Sequence, residues 1–95
     1  MERAAAALTN IMSELLRRVP VQDAPLLAWP AVCGQAVAAR TRALQFAAGR
    51  LLIEVPDAAW RAQLAELEAH YRRQFAALLG RNQVRQIDFI AAGAK

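Results

Sequence analysis

The single histidine and the single cysteine are where chemistry would first be sought. His70 stands four residues after Glu66 in E-L-E-A-H-Y-R-R. On a helix that spacing puts both on one face, where they could touch a metal. Two ligands do not make a catalytic zinc site, which takes three protein ligands and an open position. A solvent-exposed or partly packed histidine is the plainer reading. Cys33 lies on an apolar run with no histidine near it in sequence, which reads as a buried, inert thiol. No serine or threonine stands in a G-x-S-x-G or S-x-x-K context, and no glycine-rich phosphate loop is present. No carboxylates are placed to share a proton. The residues predict a protein that is not an enzyme and holds no metal, cofactor or small-molecule substrate.

Arginine is the one chemical group the chain repeats. There are 11 Arg to 1 Lys, and the formal net charge is +4. The planar guanidinium suits phosphate and carboxylate. Arg40 and Arg42 are expected at the end of a second helix and Arg50 in a hairpin turn. Arg72 and Arg73 are expected on a long helix, and Arg81 and Arg85 at the start of a last strand. Phosphate contacts from these seven would give sequence-blind, salt-sensitive affinity for nucleic acid. A solvated basic surface without a ligand explains the charge alone equally well.

The elements that must position these arginines are legible in the apolar spacing. Residues 3–18 carry Leu8, Ile11, Met12, Leu15 and Leu16 as one stripe of a first helix. Residues 23–41 read as a broken helix, opened by an Asp23 cap and Pro25 and interrupted at Pro30. Gly34 there suggests close approach to a neighbouring backbone. The runs 43–48 and 50–55 alternate around Gly49 and predict a hairpin, with Leu44 and Phe46 on one face of the first strand. Pro56 stops the second strand and Asp57 caps one long helix over 57–79. That helix carries its apolar face at 60, 64, 67, 71, 75 and 78, and Gly80 ends it. Residues 84–91 predict a third strand.

The expected fold class is α+β, in the order α-α-β-β-α-β. A three-stranded mixed sheet is covered on one face by helices, a two-layer architecture. Trp29, Gly34, Phe46, Gly49, Trp60, Leu64 and Phe89 are the expected structural residues, with Trp29 and Trp60 as core anchors. The open sheet face would offer Gln45, Leu52, Glu54, Gln86, Asp88 and Ile90, with no ring on which a base could stack.

At 95 residues the chain has room for one core, burying roughly 65% of its unfolded surface. The apolar fraction of 57% overstates that core, because 23 residues are alanine. A lone cysteine suits a reducing compartment. No apolar run approaches the roughly 18–20 residues of a membrane span. MERAAAALTN is not followed by a charge-free apolar stretch and does not read as a signal peptide. A cytoplasmic, bacterial-type protein is expected.

Four stretches in order carry a resemblance. They are W-P-x-V-C-G (Trp29 to Gly34), A-G-R-L-x-I-x-V (Ala48 to Val55), D-A-A-W-R-x-x-L (Asp57 to Leu64) and L-L-G-x-x-x-V-x-x-I-x-F (Leu78 to Phe89). Together they resemble the DciA family of bacterial replicative-helicase loaders, over Leu8 through Phe89. The resemblance implies one KH-like domain across residues 1–95. It implies binding to the replicative helicase DnaB, affinity for single- or double-stranded DNA, and no catalysis. A KH domain clamps nucleic-acid backbone through a G-x-x-G loop. Here only Gly80 stands, in LLGRNQ. Two alternatives stand beside the loader reading. One is a KH-like module for single-stranded RNA or DNA without a helicase role. The other is an interaction domain that binds protein alone through the sheet face.

Overall fold

A computed structural model describes residues 11–92. The described part of a first helix, α1, covers residues 11–16. It is followed by α2 (Ala24–Cys33), α3 (Gln35–Ala38), β1 (Arg42–Ala47), β2 (Arg50–Val55), α4 (Ala58–Glu66), α5 (Glu68–Leu79) and β3 (Gln86–Ala91). The order is the one the apolar pattern predicts, with two helices divided. Leu8 and the start of the expected first helix lie outside the described residues. Within α1 the expected stripe splits: Leu16 is buried and Met12 half-buried, while Ile11 and Leu15 face solvent.

The sheet has the order β1-β2-β3, with β2 central. β1 and β2 pair antiparallel, and β2 and β3 pair parallel. Leu51 stands opposite Ile87 and Ile53 opposite Phe89, so one face of two strands is apolar in register. All four are buried under the helices. The expected alternation fails in β1. A bulge between Ala43 and Gln45 turns Leu44 outward beside Gln45, and Ala43 and Phe46 face the core instead.

The hairpin turn places both Ala48 (φ 53°) and Gly49 (φ 80°) in the left-handed region. That is the geometry of a tight two-residue turn matching strand twist. Alanine there carries a steric cost of about 1 kcal/mol. Ala48→Asn is therefore expected to stabilise the fold by about 0.5–1 kcal/mol, since asparagine tolerates this region. A melting temperature higher by about 3–6 °C would register it.

The helix expected to break at Pro30 runs through it. α2 continues to Cys33, and the chain breaks at Gly34, whose N–H donates to the Pro30 carbonyl at 3.0 Å. An interior proline costs about 3 kcal/mol. Ala28, Trp29 and Val32 are buried from this one helix, and that burial offsets the cost. Gly34 is needed for its backbone (φ 86°, ψ 162°) rather than for close approach, because a Cβ there would meet nothing within 4 Å. The Asp23 side chain makes no capping bond; the Asp23 and Ala24 N–H groups donate to the Pro20 carbonyl in a preceding turn.

The long helix expected over 57–79 is two helices. Asp57 does cap the first, its Oδ1 accepting the Trp60 N–H at 2.9 Å. Leu67 (φ −95°, ψ 0°) leaves helical geometry, and its N–H donates back to Leu64 O at 3.0 Å. No proline or glycine marks the break. The two halves share β3 but differ in their other partner: α4 lies also on β2, and α5 on α2. Tertiary packing overrides a locally continuous helical pattern, and Leu67, expected on the buried face, is 43% exposed.

Trp29 sits at the centre of the core, 2% exposed. Its ring lies edge-on to Tyr71 at 5.1 Å between centroids, stacks on Phe75 at 6.3 Å and tilts against Phe89 at 6.3 Å. Its Nε1–H donates to Thr41 Oγ1 at 2.9 Å, and that hydroxyl donates onward to Val37 O at 2.8 Å. The one buried polar side chain among the described residues is thereby satisfied. Leu64 and Phe89 are buried, whereas Trp60 and Phe46 are half-buried and pack against the core from its edge.

Candidate nucleic-acid interface

Four of the seven candidate arginines meet in one place. Arg72, Arg73, Arg81 and Arg85 line a concavity of about 380 Å³, together with Ala69, Ala76, Asn82 and Val84. The wall from α5 is made by residues 69, 72, 73 and 76, which is one helical face. Two alanines keep that face shallow and two arginines charge it. The opposite wall is the connection from α5 to β3. α5 ends as the Gly80 N–H donates to Ala76 O at 3.0 Å, and the chain then turns through Arg81 and Asn82 (φ 68°). Val84 is buried beneath, anchoring the connection to the core.

The hairpin turn fixes Arg85. Gly49 O accepts the N–H groups of Arg85 at 2.8 Å and Gln86 at 3.1 Å. The Arg85 side chain lies across the glycine, where a Cβ would come within 3.1 Å of Nε and 3.4 Å of Cγ. Gly49 therefore serves the turn by its backbone angle and the bay by its lack of a side chain. Arg85 belongs to the connection rather than to the strand, which begins at Gln86.

Electrostatics separate the arginines further. Arg73, Arg81 and Arg85 take part in no ion pair among the described residues. Arg72 donates through Nε to Glu68 Oε1 at 2.8 Å. Arg50 is the first residue of β2, not part of the turn, and it is engaged on the open sheet face. Its Nη2 and Nε donate to Asp88 Oδ2 at 3.0 and 3.3 Å, while Gln86 Nε2 donates to Asp88 Oδ1 at 2.7 Å. Arg40 lies in the turn after α3 and Arg42 opens β1 opposite Glu54. Both stand at the far end of β1 from the turn that Arg85 covers. The arginines expected as one distributed set are thus a cluster of four, one paired residue and two remote ones.

A second concavity of about 380 Å³ lies between residues 13–25 and the end of α5. It is lined by Leu16, Val19, Pro25 and Leu79, and its one arginine, Arg17, is paired to Glu14 at 3.0 Å. Equal in size, it lacks the charge that would draw an anion.

The groups considered for catalysis stay apart. His70 is exposed, its ring 5.9 Å from that of Tyr71. Among the described residues no three His, Cys, Asp or Glu side chains converge as a metal site would need. Cys33, expected buried, is half-buried, and that burial pushes its thiol up to about 11, against the opposing effect of a backbone hydrogen bond, so thiolate is scarce near neutrality. Burial, then the neighbouring Cys33, raises the Tyr71 phenol as well. No helix among the described residues is long and apolar enough to cross a membrane.

Sequence reasoning missed Asn82 as part of the bay and Glu68 as the partner of its Arg72. The repeat A-x-x-R-R-x-x-A from Ala69 to Ala76 was the available signal for its helical wall.

A small α+β domain with an open mixed sheet and an arginine-lined bay at one end is the class these features define. Residues 3–89 match the family described as Dna[CI] antecedent, DciA, and the chain belongs to that family. Membership implies a role in loading the replicative helicase. No curated protein matches the chain significantly.

Proposed function

We propose that this chain is a non-catalytic adaptor that binds a DnaB-type replicative helicase and holds DNA by its backbone in the arginine bay. Family membership supports the helicase half. The observation that carries the DNA half is the convergence of Arg72, Arg73, Arg81 and Arg85 on one concavity. No aromatic ring lines the bay, so bases have nothing to stack on there. The G-R-N-Q connection after α5 offers guanidinium charge in place of a G-x-x-G backbone clamp. Phosphates, and not base edges, are what such a surface recognises. Binding is accordingly blind to sequence and weakens steeply with salt.

Size-exclusion chromatography of the chain with the replicative helicase of its own organism tests the helicase half. Co-migration at low salt is the expected result. Separate elution of the two proteins, loaded well above the Kd of a micromolar complex, would remove it.

A further inference from the structure

Glu68 opens α5 directly after the break at Leu67, and its two carboxylate oxygens have different partners. Oε2 accepts the backbone N–H of Ile87 at 3.0 Å. Oε1 accepts Nε–H of Arg72 at 2.8 Å. Ile87 belongs to β3, an edge strand of the sheet. One oxygen therefore ties the start of α5 to the sheet edge, and the other holds an arginine of the bay. A guanidinium presents five N–H donors in a rigid fork. Glu68 takes the one on Nε. Among the described residues no hydrogen bond engages Nη1 or Nη2 of Arg72. Those two nitrogens are the pair that can grip a phosphate through two parallel bonds.

We propose that Glu68 is the positioning residue of the arginine bay, holding Arg72 side-on through Nε so that its terminal fork meets the incoming phosphate. This inference rests on the phosphate reading of the bay given above. The carboxylate is needed for its two acceptors. A carboxamide at 68 has one, which the half-buried Ile87 N–H claims, and its own NH2 then faces Nε–H donor to donor. A lysine at 72 cannot be held in this way. Its three donors sit on one nitrogen, so an ammonium drawn onto Glu68 is pulled back from the place where phosphate docks, with no separate fork left to reach it.

A two-residue cycle on a fluorescently labelled DNA duplex reads this out, with melting temperatures checking that each variant folds. Arg72→Lys is expected to weaken binding about fivefold and to lower the salt slope by about 0.9, the value of one phosphate contact. Adding Glu68→Gln to Arg72→Lys is expected to bring the slope back and the affinity to within about twofold of the parent, despite a lower melting temperature. Glu68→Gln alone completes the cycle and is expected to weaken binding in the parent background, because Arg72 loses its hold. A Glu68 that acted only through the fold or through its charge would shift the parent and Arg72→Lys alike. That result overturns the inference, as does an Arg72→Lys variant with the parent's slope. Arg81→Glu is measured alongside. If it leaves duplex affinity unchanged, the phosphate reading fails and the inference falls with it. If Arg81→Glu weakens binding and the cycle shows no rescue, the inference alone is lost.

Discussion

Trp29→Ala is expected to remove a large share of the chain's stability. The indole is 2% exposed and touches Tyr71, Phe75 and Phe89, so its loss empties the contact point between α2, α5 and β3. Truncating a buried tryptophan costs about 3–5 kcal/mol. A domain of this size has a total stability of about 5–14 kcal/mol. The substitution also removes the donor to Thr41 Oγ1, although that hydroxyl keeps its own bond to Val37 O. Trp29→Phe retains a ring and is expected to cost about 1–2 kcal/mol. Leu27→Ala, at a side chain 58% exposed on the same helix, should fall within about 0.5 kcal/mol of the parent. Urea denaturation followed by tryptophan fluorescence and circular dichroism gives all three values. Equal midpoints for Trp29→Ala and Leu27→Ala would contradict the packing described.

Reversing two bay charges should have the largest effect on ligand binding. Arg73→Glu with Arg81→Glu is the chosen pair because neither arginine is ion-paired among the described residues. No described salt bridge is lost with them, so melting temperature should barely move. Duplex affinity at 50 mM salt is expected to fall at least about tenfold, equally for unrelated sequences, and the salt slope to drop by about 1.8 for two lost phosphate contacts. Arg40→Glu with Arg42→Glu changes formal charge by the same amount at the remote end of β1. It is expected to weaken binding by less than about threefold, the size of a screened long-range effect. Equal losses for the two pairs would mean that net charge, and not the bay, attracts DNA.

Much of the architecture is written in local pattern. The alternation of Leu51, Ile53 and Val55, the Asp57 cap and the glycine-bearing turn are short-range signals, and each appears in the fold where its residues stand. The departures arise where distant partners decide. Nothing between Ala65 and Ala69 breaks a helix, yet α4 and α5 part at Leu67 because, both touching β3, α4 reaches β2 while α5 reaches α2. Pro30 is a strong local breaker, yet Trp29 and Val32 hold α2 to the core on either side of it. The β1 bulge reverses which of Ala43 and Leu44 faces inward, and alternation alone carries no sign of it.

The arginines show the same division. Their side-chain type admits phosphate from the sequence alone, but their grouping is not legible there. Arg85 joins Arg72 only because the last connection folds back over the Gly49 turn, a pairing of residues 36 positions apart. Arg50 leaves the set through Asp88, which stands 38 positions away. Glu68 is legible as an i, i+4 partner of Arg72. Its bond to Ile87 depends on where β3 lies, and no local pattern contains that.

Chemical-shift mapping of backbone amides and arginine Nε groups during titration with a short DNA duplex tests the central claim most directly. Shifts concentrated between residues 69 and 76 and between 80 and 87, with Leu52, Glu54 and Ile90 silent on the open sheet face, are the predicted result. Shifts centred on that sheet face or on α1, with the Arg72, Arg73, Arg81 and Arg85 signals unmoved, would contradict it.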